Sequence, residues 1–305
     1  CIRDRDINAR RSRLRKSNRK GSNLDMREKE AWKKYSQEEK QQVMEFAETY
    51  RAFISDCKTE RECVDEIKKQ ALQAGFKDTQ DVIASGRTLQ PGDRVFADNK
   101  GKCMALYIIG KQSMEQGLNI LGAHIDSPRL DLKQNPLYED TNLALLDTHY
   151  YGGVKKYQWV ALPLALHGVV VRKDGTKAVV NIGEKPEDPV FGVSDLLIHL
   201  AGTQLEKKGA KVIEGEDLNV LIGSMPLENA NKETKETVKA NILALLDECY
   251  QIEEEDFLSA EIEVVPAGAA RDYGIDRSMI MGYGHDDRVC AYPSFAAMLS
   301  VEIPE

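Results

Sequence analysis

The 305-residue chain reads as an α/β protein carrying an inserted β-rich segment, and three features of the sequence give that reading. Capped helical patterns near residues 36–54 and 59–75 are followed by short apolar runs at 103–110 and 118–124, the lengths of buried strands. From Pro136 to about Ser278 the composition changes to strand pairs and connecting loops. A strand-to-helix passage then resumes without any low-complexity linker. The expected order is a head (1–25), a first α/β part (26–135), the insert (136–277) and a second α/β part (278–305).

Each element has its own signal. Ser36 and Glu39 form a capping box ahead of Val43, Phe46, Ala47, Tyr50, Phe53 and Ile54 at helical spacing. Thr59 and Glu62 repeat the box before Cys63, Ile67, Ala71 and Leu72, and Gly75 supplies the stop. "CMALYIIG" (103–110) and "LNILGAH" (118–124) then read as two strands about a polar turn. In the insert, runs at 164–172 and 177–183 flank Asp174-Gly175, a hairpin pair. Helices are expected to start at Ser194 and at Asn231, the latter charged early and apolar late, as suits a helix with one buried stripe. Residues 260–268 and 278–284 read as strands, and 286–299 as a helix that tolerates Pro293 only in its first turn or at a kink.

Bulk composition excludes several functions. With 42% hydrophobic residues the chain can fill a core, and its net charge of −8 argues against a nucleic-acid surface, which concentrates Lys and Arg. Residues 1–25 are the exception: nine Lys/Arg against three Asp, no apolar period and no signal-peptide core, so a disordered basic head is expected. Met26 reads as the natural start. No apolar stretch approaches the roughly 18–20 residues that cross a bilayer. The six cysteines show no C-x-x-C spacing, and free thiols in a reducing cytoplasm are expected.

Chemistry concentrates where apolar runs stop. "GAHIDSP" (122–128) places His124 and Asp126 two residues apart at a strand's carboxyl end, so that in extended chain both side chains share one side. Imidazole suits zinc or cobalt, and the carboxylate can bond the second ring nitrogen and fix its tautomer. Taken alone, the triplet reads better as a locally satisfied strand-end histidine, because H-x-D triplets are common. "GYGHDDRVCAY" (282–292) is the second such stop, where an aspartate could bridge two metal ions at a helix start. A plain helix cap explains one Asp there, though less readily the run His285-Asp286-Asp287-Arg288.

Together with "DTHYYGG" (147–153), "LPLALHGVVV" (162–171) and "LLIHLAG" (196–202), these motifs resemble in order and spacing the aspartyl aminopeptidase family of dinuclear zinc exopeptidases. The resemblance runs from about Met26 to the last residue. It implies a three-layer catalytic domain with a central mixed sheet, interrupted by a dimerisation domain and left incomplete because the chain stops early. It also implies that His124 is a zinc ligand, Asp126 the carboxylate orienting it, and Asp286 the aspartate bridging two zincs. His199 matches a histidine that enters the neighbouring subunit's active site and stabilises the substrate carbonyl as it becomes an oxyanion. His149 and His167 have no match and are read as structural, and His285 as a support behind the ligands.

The implied activity is release of N-terminal amino acids from peptides, acidic residues being the family expectation, in a cytoplasmic homo-oligomer whose dimers build a dodecamer. Two Zn2+ ions are implied, and Co2+ or Mn2+ tolerate the same ligands. The family's general base is a glutamate in an adjacent Glu pair beyond the bridging aspartate. Here Glu302 and Glu305 are the only carboxylates after Asp287 and are not adjacent, so the chain alone is expected to be inactive. A catalytically dead assembly subunit and a metal-binding fragment are the alternatives. A neighbouring class of tetrahedral aminopeptidases shares both metal motifs, and the "DTHYYGG" to "LLIHLAG" insert favours the aspartyl family over it.

Overall fold

The structure, a computed structural model, describes residues 31–229 and 235–304. The basic head (1–25), Met26 and the helix start expected at Asn231 lie outside the described residues. The chain divides into two units, residues 1–48 and 49–305. In the first, α1 (Ala31–Lys34) precedes the opening turns of α2 (Gln37–Asp56). The expected capping box is present: Glu39 N–H donates to Ser36 Oγ at 3.2 Å, and Ser36 N–H to Glu39 Oε2 at 2.8 Å.

The second unit holds two separate apolar cores. The first gathers around α3 (Glu60–Gln73), whose Thr59 cap forms the reciprocal box with Glu62. Its spacing sends Cys63, Ile67 and Ala71 inward against Tyr50, Phe53 and Ile54. Behind it lies a mixed sheet of β1 (Lys77–Asp78), parallel to β2 (Arg94–Asn99), which pairs antiparallel with β3 (Cys103–Ile108). A short helix, α4 (Thr79–Ala84), joins β1 to β2.

Residues 118–124 differ from expectation, running without strand partners among the described residues. Leu118, Ile120 and Leu121 are 64, 80 and 61% exposed. An apolar run becomes a strand only when a neighbour completes its ladder, and none of the described strands lies beside this one.

The second core fills a six-stranded antiparallel sheet, built by β4 (Arg129–Asp140), β5 (Leu143–Tyr151), β6 (Leu164–Val171), β7 (Lys177–Ile182), β8 (Val220–Gly223) and β9 (Glu261–Pro266) in the order β7-β6-β9-β4-β5-β8. Thr141 and Asn142, both at positive φ, make the two-residue turn of the β4–β5 hairpin. Pro136, where the insert was expected to begin, lies inside β4 at the register shift between Leu132 and Leu137, where a residue without an N–H costs no ladder bond. The Asp174-Gly175 hairpin forms as expected, with Thr176 N–H donating to Asp174 Oδ1 at 2.8 Å.

The helix expected from Ser194 is absent: Leu196, Leu197, Ile198 and Leu200 stand exposed in a loop, followed only by the single turn α5 (Gly202–Leu205). A segment this short pays the nucleation cost of a helix only when it buries a face. Further on, α6 (Thr237–Tyr250) covers the sheet through Val238, Ile242 and Leu246. The hairpin of β10 (Arg271–Tyr273) and β11 (Met279–Met281) leads to α7 (His285–Ser300), which carries Pro293 inside it and returns Tyr292 and Phe295 to the first core.

Between the two cores lies a band of buried charge. His167 of β6 sits between Glu62 (2.7 Å from Nδ1) and Glu184 (3.0 Å from Nε2), with Lys58 3.7 Å from Glu184. Burial works against a charged His167 ring, but the two carboxylates outweigh it and push the group up to about 9. Beside it, Arg129 contacts Glu60, Asp131 and Glu263. Burial and the nearby Glu60 charge raise Glu263 to about 8, and Glu263 Oε2 and Glu60 Oε2 are met by ion pairs, to Arg129 at 3.2 Å and Lys102 at 3.7 Å, and not by hydrogen bonds.

Candidate metal centre

The two chemical motifs, 162 residues apart by number, meet at the edge of the first core. His124 ends the unpaired extended run, and the chain then turns at Ser127-Pro128 into β4. Asp286 sits at the start of α7, where Asp286 and Asp287 leave helical φ/ψ and the Asp286–Asp287 peptide is cis. His124 Nε2 lies 3.4 Å from Asp286 Oδ1 and 4.0 Å from Asp287 Oδ2. The other ring nitrogen, Nδ1, is 3.0 Å from the Asp126 carbonyl and 3.1 Å from Asp126 Oδ1.

Hydrogen bonds from Arg288 and Ser127 hold the two segments together. Arg288, almost wholly buried, donates through Nε to the Ile125 carbonyl at 3.0 Å, and through Nη1 and Nη2 to the carbonyls of Cys57 and Lys58 at 2.8 and 2.9 Å. The planar guanidinium thus ties the turn before α3, the His124 segment and α7 to one point. Ser127 Oγ donates to the Asp286 carbonyl at 2.6 Å. Tyr50 Oη and His285 Nδ1 are 2.8 Å apart, and His285 Nε2 is buried without a partner. Gly284, at φ +92°, makes the tight entry to α7: a Cβ there would come within 2.4 Å of Arg288 Nη1.

Carboxylates lie on both sides of the His124 ring. Desolvation opposes a charged His124 ring, but the Asp126 carbonyl and carboxylate and the Asp287 charge outweigh it and raise the group. Partial burial opposes ionisation of Asp126, yet the Tyr151 hydroxyl and the His124 ring lower it and keep it a carboxylate. Two ligand atoms each about 2.0–2.2 Å from one tetrahedral zinc stand about 3.4 Å apart. His124 Nε2 and Asp286 Oδ1 show that separation, so the donor set fits the ion. Among the described residues no three His, Cys, Asp or Glu side chains converge as a ready-made ligand set.

Of the residues singled out in the sequence, His124, Asp126 and Asp286 are brought together. His199 is not: it stands exposed in the loop after Val193, with no hydrogen bond or ion pair to the other three among the described residues. His149 stacks on Tyr150 and His167 is held in the buried charge band, in line with structural roles. Sequence reasoning missed Ser127, Tyr151 and Tyr50. The first two lie inside the quoted motifs, but only the fold shows what they touch.

An imidazole and an aspartate aimed at one point from two chain turns, with a carboxylate behind the imidazole, is the arrangement metallohydrolases use. Residues 53–303 match the aminopeptidase I zinc metalloprotease (M18) family, and the chain belongs to it. The probable M18 family aminopeptidase 1 of Clostridium acetobutylicum is 61% identical over 274 residues, covering 90% of this chain and 58% of that protein. The crystal structure of aminopeptidase I from the same organism superposes with a TM-score of 0.81 at 59% identity, over 89% of this chain and 59% of the other. The fold also matches the structure of the S. cerevisiae mApe1 dodecamer, at a TM-score of 0.62 and 17% identity over 85% of this chain and 57% of that one. The chain thus spans a little under three fifths of the length of these relatives.

Proposed function

We propose that this chain forms the first part of a zinc aminopeptidase that releases N-terminal amino acids from peptides at a dinuclear site. The supporting observation is the 3.4 Å approach of His124 Nε2 to Asp286 Oδ1, two side chains that only the fold brings together. Bound zinc supplies Lewis-acid polarisation of the scissile carbonyl and activates water for attack. In this reading His124 presents Nε2 as a ligand while Asp126 accepts a hydrogen bond from Nδ1–H and holds the ring plane. Asp286, its side chain 76% exposed, offers both carboxylate oxygens and so can bridge two ions. Ser127 holds the Asp286 carbonyl, and Arg288 holds the Ile125 carbonyl beside His124, as charge builds on the substrate.

His199 belongs to a neighbouring subunit's site in this proposal, where its ring donates to the forming oxyanion. The exposed apolar loop around it, Leu196 to Leu200, supports a subunit contact made through the inserted sheet, first in a dimer and then in a dodecamer. The general base is a glutamate of an adjacent pair that residues 288–304 do not contain, so these residues alone are proposed to be inactive. That same feature favours a second reading, a catalytically silent assembly subunit. An acidic N-terminal preference and a cytoplasmic location complete the proposal, the latter supported by five free cysteines among the described residues.

The test is turnover of aminoacyl p-nitroanilides by the chain alone and by the chain joined to the family's remaining length. Activity is expected only in the longer protein, fastest on Asp and Glu reporters, and lost in His124→Ala. Undiminished turnover in His124→Ala would remove the reading. A longer protein that assembles but never turns over would support the silent subunit.

A further inference from the structure

We propose that Tyr151 is a positioning residue for the metal site: its hydroxyl locks the Asp126 carboxylate so that His124 keeps its ring proton on Nδ1 and offers a bare Nε2 to the ion. The inference rests on the reading of His124 as a ligand, but its first readout needs no metal.

The contacts form a chain. Tyr151 Oη donates to Asp126 Oδ2 at 2.9 Å, and the other oxygen, Oδ1, faces His124 Nδ1 at 3.1 Å. A carboxylate held at one oxygen cannot swing about its last torsion, so its second oxygen stays aimed at the imidazole N–H. A free neutral imidazole carries its proton mostly on Nε2, the wrong nitrogen for a ligand, and the hydrogen bond at Nδ1 reverses that preference. The Asp126 carbonyl, 3.0 Å from Nδ1, shares the task, and the carboxylate adds the charged acceptor.

Tyr151 is in turn fixed by the inserted sheet. It is the last residue of β5 and pairs in register with Arg129, the first of β4. The Arg129 guanidinium lies over the Tyr151 ring with its Cζ 4.2 Å from the ring centroid. Arg129 itself cannot shift, being buried and bonded to Glu60 at 2.9 Å and Asp131 at 2.7 Å. Gly152 then brings the backbone against Pro128, where a Cβ would meet Pro128 Cα at 3.4 Å. The inserted sheet therefore reaches the metal ligand through one hydroxyl, and its registration on the rest of the chain sets how well His124 is aimed.

The experiment compares wild type with Tyr151→Phe, which keeps the ring under Arg129 and removes only the hydroxyl, and with Asp126→Ala. Ring nitrogen shifts of His124 are read by long-range proton–nitrogen NMR without metal, at a pH where the ring is neutral. Wild type is expected mainly as the Nδ1–H form, with the ratio of the two tautomers falling at least twofold in Tyr151→Phe and further in Asp126→Ala. Zinc titrated into the same samples is expected to bind roughly tenfold more weakly to Tyr151→Phe. Unchanged melting temperature would show that the fold is intact. A tautomer ratio equal in wild type and Tyr151→Phe, or an Nε2–H ring in wild type, would overturn the proposal. Zinc binding unaffected by His124→Ala would instead sink the ligand reading while leaving the tautomer result standing.

Discussion

At the residue scale, Arg288 is the side chain on which both halves of the candidate site depend. Three carbonyls from two separated segments converge on one buried fork. Lysine cannot reproduce that planar set of donors. Arg288→Lys is expected to cost roughly 2–4 kcal/mol in urea unfolding, since it leaves at least one buried carbonyl unpaired. A loss below about 0.5 kcal/mol would show that the carbonyls find other partners. His124, Asp126 and Asp286 were legible in the sequence because a histidine or aspartate run at an apolar stop is visible in one dimension. Tyr151 and Ser127 were not, because a hydroxyl's role is set by what the fold brings to it. His199 was legible only through the family motif, and nothing around it among the described residues assigns it a partner.

At the scale of elements, local signals fared best where the chain supplies its own partner. Both capping boxes and the Asp174-Gly175 hairpin formed as their residues predict, and the helix after Gly284 formed too, but with Pro293 in its interior, past the non-helical Asp286 and Asp287, rather than in its first turn. The 118–124 strand and the Ser194 helix did not, and both are apolar runs left exposed for want of a surface to pack on. The β4–β5 hairpin went unread because Pro136 breaks the alternation and Thr141-Asn142 is a weak turn signal. Within the six-stranded sheet, Gly168 takes φ +152°, and a Cβ there would fall 2.0 Å from the Glu261 carbonyl oxygen across the β6–β9 ladder. Gly168→Ala must push the two strands apart. It is expected to destabilise the chain by more than about 2 kcal/mol and to speed amide exchange first in β6 and β9. Exchange rates unchanged in those strands would contradict this.

At the scale of the whole molecule, the buried charge between the two cores makes stability depend on pH. His167 titrates near 6.5 in an unfolded chain and at about 9 in the folded one. A raised folded value means that its contribution is complete below the unfolded pKa and is lost as pH rises through the folded one. Stability should therefore fall between about pH 6.5 and 9 by roughly 2–3 kcal/mol from this group. Glu263, raised to about 8, adds a loss of the same sign that begins lower, near its ordinary range. Urea titrations at pH 6 and 9.5 on wild type and His167→Gln separate the two, because the variant keeps only the glutamate's share. An equal alkaline loss in both proteins would remove His167 from the balance.

Whether His124 and Asp286 face one metal ion is read out by a zinc titration of the chain, followed on the His124 ring nitrogens and by competition with a chromophoric chelator. Wild type should show Nε2 of His124 shifting as zinc binds, Asp286→Asn should bind at least tenfold more weakly, and His124→Ala should lose the site. Zinc that leaves Nε2 unmoved, or binds both variants as well as wild type, would contradict the account.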